Sequence, residues 1–329
     1  MGVTPDQGPT GGGITVTVTG PDLAGATAVR FDGRPARAFD EVSATELTAV
    51  TPAGAGPVDV TVTTPRGVSG AGKFYYVDTP YLCSVTPDSG PLAGGNTLTI
   101  RGHRLAPATS VRFGPTAVTP TVVSDRELAV VAPANADEGE VAVRVVTPGG
   151  TSTGALYTYA SAPTLTGLSP TSGTASGNTV FTLNGTNLSA ATVTFDGVAA
   201  TGITVNAGGT SLTGITPAGA AGPAEVTATT AGGTSGSLSF TYIGLPVATG
   251  ISPVSGTTAG GTVFTLTGAN LAGAAVTFNG VAATGISVNP AGTSLTGITP
   301  AGAEGLAVVQ VTTPSGSTAV PGGFAYNLQ

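Results

Sequence analysis

His103 is the only histidine in the chain, and catalysis needs convergent titratable groups that a lone imidazole does not supply. It follows Gly102 where three sister repeats carry Pro21, Thr186 and Ala269, so it reads as a loop side chain. One histidine and one cysteine do not make a zinc site. Gly150-Thr-Ser-Thr-Gly154 has the letters of a hydrolase nucleophile elbow. That elbow joins a strand to a helix and is followed by its histidine, whereas His103 precedes this serine. The run reads instead as a turn before a strand, since Gly67, Gly233 and Gly316 stand at the same point elsewhere. Phosphate cradles need Gly-Lys-Ser/Thr, and the sole lysine, Lys73, precedes Phe74. Asn135, Asp137, Glu138 and Glu140 lack the ordered spacing of a calcium loop and read as a solvated loop. Arg30, Arg34 and Arg37 interleave with Asp32, Asp40 and Glu41, a mixed-charge face rather than a phosphate grip.

The expectation is therefore a non-enzymatic chain with no catalytic residues, no cofactor and no metal site. What remains for recognition is aromatic. With no Trp, the platforms available for a sugar ring are Tyr81, Tyr75 and Tyr157, and Tyr81 is the candidate ligand-binding residue because the others alternate with Phe74 and Tyr159. Cys83 has no partner for an intrachain disulfide and reads as a small buried hydrophobe in the strand before Val85.

Charge bounds the partners. A net charge of −7 opposes attraction to nucleic acid or anionic lipid. All ten basic residues precede Ala160, while residues 161–329 carry only Asp196, Glu225 and Glu304. A surface of Thr, Ser, Gly and Ala without cations fits an extracellular or assembled structural protein better than a crowded cytoplasm. No apolar run reaches the roughly 18 residues of a membrane helix, and no signal peptide is visible at the N-terminus. No membrane insertion is expected.

The elements follow from a repeat. Val3-Thr-Pro-Asp-Gln-Gly8 returns as Val85-Thr-Pro-Asp-Ser-Gly90, Leu168-Ser-Pro-Thr-Ser-Gly173 and Ile251-Ser-Pro-Val-Ser-Gly256. Its proline recurs at 5, 87, 170 and 253, a spacing of 82 or 83 residues that is the size of a small domain. Each repeat runs through an alternating strand, such as Thr179-Val-Phe-Thr-Leu183, to a glycine and a leucine (Leu23, Leu105, Leu188, Leu271) placed to plug the core. Phe31-Asp-Gly33, Phe195-Asp-Gly197 and Phe278-Asn-Gly280 mark hairpin tips, and Phe113-Gly-Pro115 alters that turn in repeat two. Pro52, Pro133, Pro217 and Pro300 end a strand, and Phe74-Tyr-Tyr76 and its counterparts close each unit. Six or seven short strands per repeat without helical periodicity predict an all-β chain of four tandem immunoglobulin-like β-sandwiches.

The order Ser/Thr-Pro-x-x-Gly, Gly-Gly, alternating strand, Gly-x-x-Leu, Phe-Asp/Asn-Gly, Thr-Pro-Ala-Gly, Phe-x-Tyr resembles the IPT/TIG domain family four times over. That resemblance implies an early-set immunoglobulin-like sandwich of the kind found in surface receptors, some transcription factors, beside carbohydrate-active enzymes, and in tandem arrays of bacterial surface and phage proteins. The Ala, Gly and Thr bias points to a high-GC bacterial or phage source. Boundaries are expected at 1–78, 79–160, 161–243 and 244–329, with short proline-stiffened linkers giving an elongated rod. Repeat one starts two residues before Val3 and lacks the lead-in of the others, so its opening strand reads as truncated. Repeats three and four are near copies, which favours length or valency over a unique site. The expectation is a stalk or fibre segment at a bacterial surface or on a phage-like particle, with protein partners or self-assembly. The alternative is an array of carbohydrate-binding modules beside an extracellular glycan-active domain.

Overall fold

The computed structural model describes residues 1–70 and 72–328. Strands and turns account for the fold, and the chain divides into two compact units, Met1–Ser161 and Ala162–Gln329. Each unit holds two sandwiches built to one plan.

In the first sandwich, one sheet has the strand order Gly2–Thr4, Thr15–Thr19, Glu46–Val50, Ala38–Ser43. The facing sheet runs Gln7–Pro9, Gly72–Val77, Gly56–Thr64, Ala28–Phe31, Arg34–Pro35, with Gly67–Val68 also pairing to Gly56–Thr64. The next two sandwiches repeat this order, and the fourth splits its larger sheet in two, one part ending at Ala307 and the other resuming at Val309. The opening motif does more than end a strand. The chain leaves one sheet at Thr4, crosses at Pro5, whose peptide bond is cis, and enters the other at Gln7. There Gln7–Pro9 runs parallel to Tyr75–Val77, while the other pairings of this sandwich are antiparallel. All four motif prolines are cis.

Alternation sets the cores. Val16, Val18, Leu47 and Ala49 from one sheet meet Val29, Phe31, Val60, Val62, Phe74 and Tyr76 from the other. Each fully buried Val, Leu or Phe among them contributes about 1.5–3 kcal/mol by leaving water. The rings meet edge to face in every sandwich: Phe31–Phe74 at 5.6 Å, Phe113–Tyr157 at 5.6 Å, Phe195–Phe240 at 5.2 Å and Phe278–Phe324 at 5.3 Å. The plug leucines, Leu23, Leu105, Leu188 and Leu271, are fully buried. Asp32-Gly33, Asp196-Gly197 and Asn279-Gly280 hold positive φ at both tip residues, as a type I′ turn requires. In repeat two Gly114 alone is positive and Pro115 follows, so the hairpin closes with the φ signs of type II′, Phe113 opposite Thr116.

Two repeated motifs lock together. Tyr76, Tyr159, Tyr242 and Tyr326 donate their hydroxyls to the carbonyls of Pro52, Pro133, Pro217 and Pro300 at 2.7, 2.7, 2.8 and 2.8 Å. The ring passes so close that a Cβ at Gly54, Gly219 or Gly302 would lie within 2.6 Å of it, which explains the glycine of Thr-Pro-Ala-Gly in three repeats. Burial pushes the phenols up, Tyr159 to about 12 and Tyr76, Tyr242 and Tyr326 in the same direction.

Candidate functional site

The strand Tyr81–Thr86 begins the second sandwich directly after the linker residues Asp78, Thr79 and Pro80. Leu82 is buried in the core, so its neighbour Tyr81 points outward, with 53% of its surface exposed. The antiparallel register sets Tyr81 opposite His103, the last residue of the strand Thr97–His103. Their rings stack with centroids 6.5 Å apart and 30° between planes. The sole histidine is therefore not a loop residue. Hydrogen bonding carries the strand past Gly102, and the loop begins only at Arg104, where φ is +60°.

The platform is held from both ends. Asp125 accepts from the backbone N–H groups of Arg104 and Ala106, each at 3.3 Å, which fixes the loop leaving His103. The Arg104 guanidinium lies 3.4 Å from the Asp78 carboxylate, and Thr79 donates its hydroxyl to the Gly149 carbonyl at 3.2 Å, so the linker is laid against the sandwich it enters. One step along the same face, Arg101 pairs with Glu127 at 3.0 Å. An open aromatic and imidazole face beside an ion pair suits contact with a sugar ring or with a protein side chain. Among the described residues no carboxylate or hydroxyl is hydrogen-bonded to His103, so the nucleophile–base–orienter geometry of catalysis is not assembled there. Sequence reasoning singled out Tyr81 and His103 separately. Counting outward from Val85 opposite Ile100 would set Tyr81 against Arg104; the bulge between Leu82 and Ser84 shifts the register by one residue and brings Tyr81 to His103.

The expectation for Cys83 is corrected. Cys83 is exposed, not buried. A bulge between Leu82 and Ser84 puts an extra residue into the strand and breaks the alternation that would have turned Cys83 inward. Tyr157 is fully buried and donates to Asn96 Oδ1 at 3.0 Å, so it is no platform, whereas Tyr75 is 43% exposed on the first sandwich. The elbow-like Ser152 is also buried, and its hydroxyl oxygen accepts from the Val145 N–H at 2.9 Å, as Ser69 and Ser235 accept from Val62 and Ala228. Asn135 donates to the Asp137 carbonyl at 2.8 Å and Glu138 accepts from the Ser161 N–H at 3.2 Å. Among the described residues no three His, Cys, Asp or Glu side chains gather to hold a metal. Arg30, Arg34 and Arg37 donate to the carbonyls of Gly33, Ala53 and Gly11 at 2.9, 2.9 and 2.7 Å, which commits them to backbone carbonyls of the first sandwich.

The sequence profile of the IPT/TIG domain matches residues 1–76, 80–159, 163–242 and 246–326, nearly the whole chain. The chain belongs to the IPT/TIG domain family. It is similar to mouse Plexin-A2, 34% identical over 110 residues, which are 32% of this chain and 6% of that protein. Rat Plexin-B3 is 36% identical over 115 residues, 31% of this chain and 6% of its own length. Both relatives are thus matched over a small fraction of their length. Among solved structures, the full extracellular region of plexin A4 aligns with 92% of this IPT/TIG chain and 34% of its own, at 17% identity and a TM-score of 0.38. No helix among the described residues is long and apolar enough to cross a membrane.

Proposed function

We propose that this IPT/TIG chain is a non-enzymatic display segment of an extracellular, cell-surface or virion-associated protein. Its sandwiches in series space a contact face, and the second sandwich presents it to a protein partner or to another copy. The observation that supports this reading is the contrast between outward faces at one register. In the third sandwich the position of the Tyr81–His103 stack holds two threonines, Thr164 and Thr186, hydrogen-bonded to each other at 2.7 Å. In the fourth it holds Val247 opposite Ala269. Near-copy repeats without cations or aromatics on that face suit a spacer, and one repeat with a fixed aromatic face suits a contact.

Light scattering on the eluting protein, with negative-stain images of the same peak, tests the spacing role. Separated beads in a row, single or joined end to end, are expected; one compact particle contradicts it.

The exposed Tyr81–His103 stack also favours a second reading, carbohydrate recognition. Affinity electrophoresis in gels containing neutral plant and bacterial polysaccharides tests it. Retardation that disappears in Tyr81→Ala would move the assignment to glycan binding, and unchanged mobility in every gel removes it.

A further inference from the structure

On the larger sheet of the second sandwich, Arg112 in the strand Ser110–Phe113 stands directly opposite Arg144 in the strand Gly139–Thr147. Both are exposed. Like charges opposed across an antiparallel pair work against the sheet. The same register elsewhere in the chain avoids this: Arg30 faces Thr61, Thr194 faces Thr227 and Thr277 faces Gln310. In the third sandwich the two hydroxyls hydrogen-bond at 3.1 Å. A neutral pair is therefore compatible with this fold and present in this chain, yet the second sandwich carries two cations.

The surroundings do not neutralise them. Arg66, Lys73, Arg101 and Arg104 each pair with a carboxylate, and Arg30, Arg34 and Arg37 donate to backbone carbonyls. Among the described residues, Arg112 and Arg144 have neither an acidic partner nor a side-chain hydrogen bond. On the same face the nearest acid along the strand is Glu140, four residues and about 13 Å from Arg144, and it stands opposite Thr158. Arg144 lies over Gly154, its Nε 3.4 Å from where a Cβ would stand there. The two cations border a groove whose remaining lining is Gly114, Ala142, Val146 and Thr151, all uncharged.

We propose that this groove is a binding site for one isolated oxyanion, a carboxylate or a sulfate group, held by N–H donors from Arg112 and Arg144 together. Guanidinium forks match the geometry of such groups and keep their charge at any working pH. The other cations of this sandwich, Arg101, Arg104 and Arg126, stand on or beside strands of the opposite sheet. The site has no track of cations to follow a polyphosphate, and it takes a single charged group with a neutral neighbourhood. It stands independently of the display role.

The test is a titration of the intact chain with sodium sulfate and, separately, sodium glucuronate, each matched in ionic strength with sodium chloride and read by the arginine Nε–H signals. Saturable shifts confined to Arg112 and Arg144 are expected, and the anion that saturates at lower concentration identifies the group. Arg112→Thr and Arg144→Gln use residues that the sister sandwiches carry at this register, and each is expected to weaken binding at least tenfold. In chloride alone both variants should melt at or above the parent temperature, because a repulsion has been removed. Shifts spread evenly over all arginines, no saturation with either anion, or variants that bind as the parent does would overturn the assignment.

Discussion

Tyr81 and His103 stack across neighbouring strands with their ring centroids 6.5 Å apart, and both rings are exposed. Their contact therefore stabilises the sandwich little. Tyr81→Ala is expected to cost about 0.5 kcal/mol or less, in the range of exposed cross-strand pairs, whereas Tyr157→Ala removes a fully buried ring and is expected to cost about 3–5 kcal/mol. Denaturant titrations of the two variants distinguish a face kept for contact from a face kept for folding. Equal losses would assign Tyr81 to the core.

The four tyrosine hydroxyls donated to proline carbonyls predict a repeated effect. Tyr326→Phe leaves the Pro300 carbonyl without the 2.8 Å bond it now accepts, and the fourth sandwich should lose about 1 kcal/mol. Tyr159→Phe should do the same in the second sandwich. A loss below about 0.3 kcal/mol in both would show that water replaces the hydroxyl without cost.

Alkali should unfold the second sandwich through Tyr159, whose hydroxyl burial pushes from 10.0 up to about 12. A raised phenol means that the folded state holds its proton where the unfolded state has lost it. Its contribution is complete below pH about 10 and is lost as pH rises through about 12. Thermal melts at pH 9, 10, 11 and 12 check this, and a melting temperature that rises over that window would contradict the sign.

The linker before the second sandwich rests on Gly149. A Cβ there would stand 2.2 Å from the Asp78 carbonyl oxygen, so Gly149→Val must displace either the turn or the linker. Overpacking of this kind costs about 1–3 kcal/mol. Limited proteolysis should cut at residues 78–80 several-fold faster in the variant, and unchanged cleavage would mean that the linker is held by Asp78–Arg104 alone.

Much of the fold is legible in the residues because its signals are local. The period of the Pro motif, the Asp-Gly and Asn-Gly tips, and the alternation of Val16 with Val18 each act within a few residues. The features that escape are those set by pairing between distant segments. The bulge that exposes Cys83 exists only relative to Arg101 and Gly102 on the partner strand. Pro5 reads as the marker of the repeat, yet its consequence, the transfer of Gln7–Pro9 to the other sheet beside Tyr75–Val77, depends on where the last strand lies. The candidate face was visible as two unrelated residues, and the register made it one.

The display reading rests on extension, so small-angle X-ray scattering of the intact chain tests it most directly. A compact body of this length has a radius of gyration of about 20 Å. Spacing requires sandwiches that stand apart in series, and a monomer, confirmed by its molar mass, is predicted to measure at least about twice that compact value. A monomer near the compact value would mean that the sandwiches fold back on one another, and the proposed spacing role would fail.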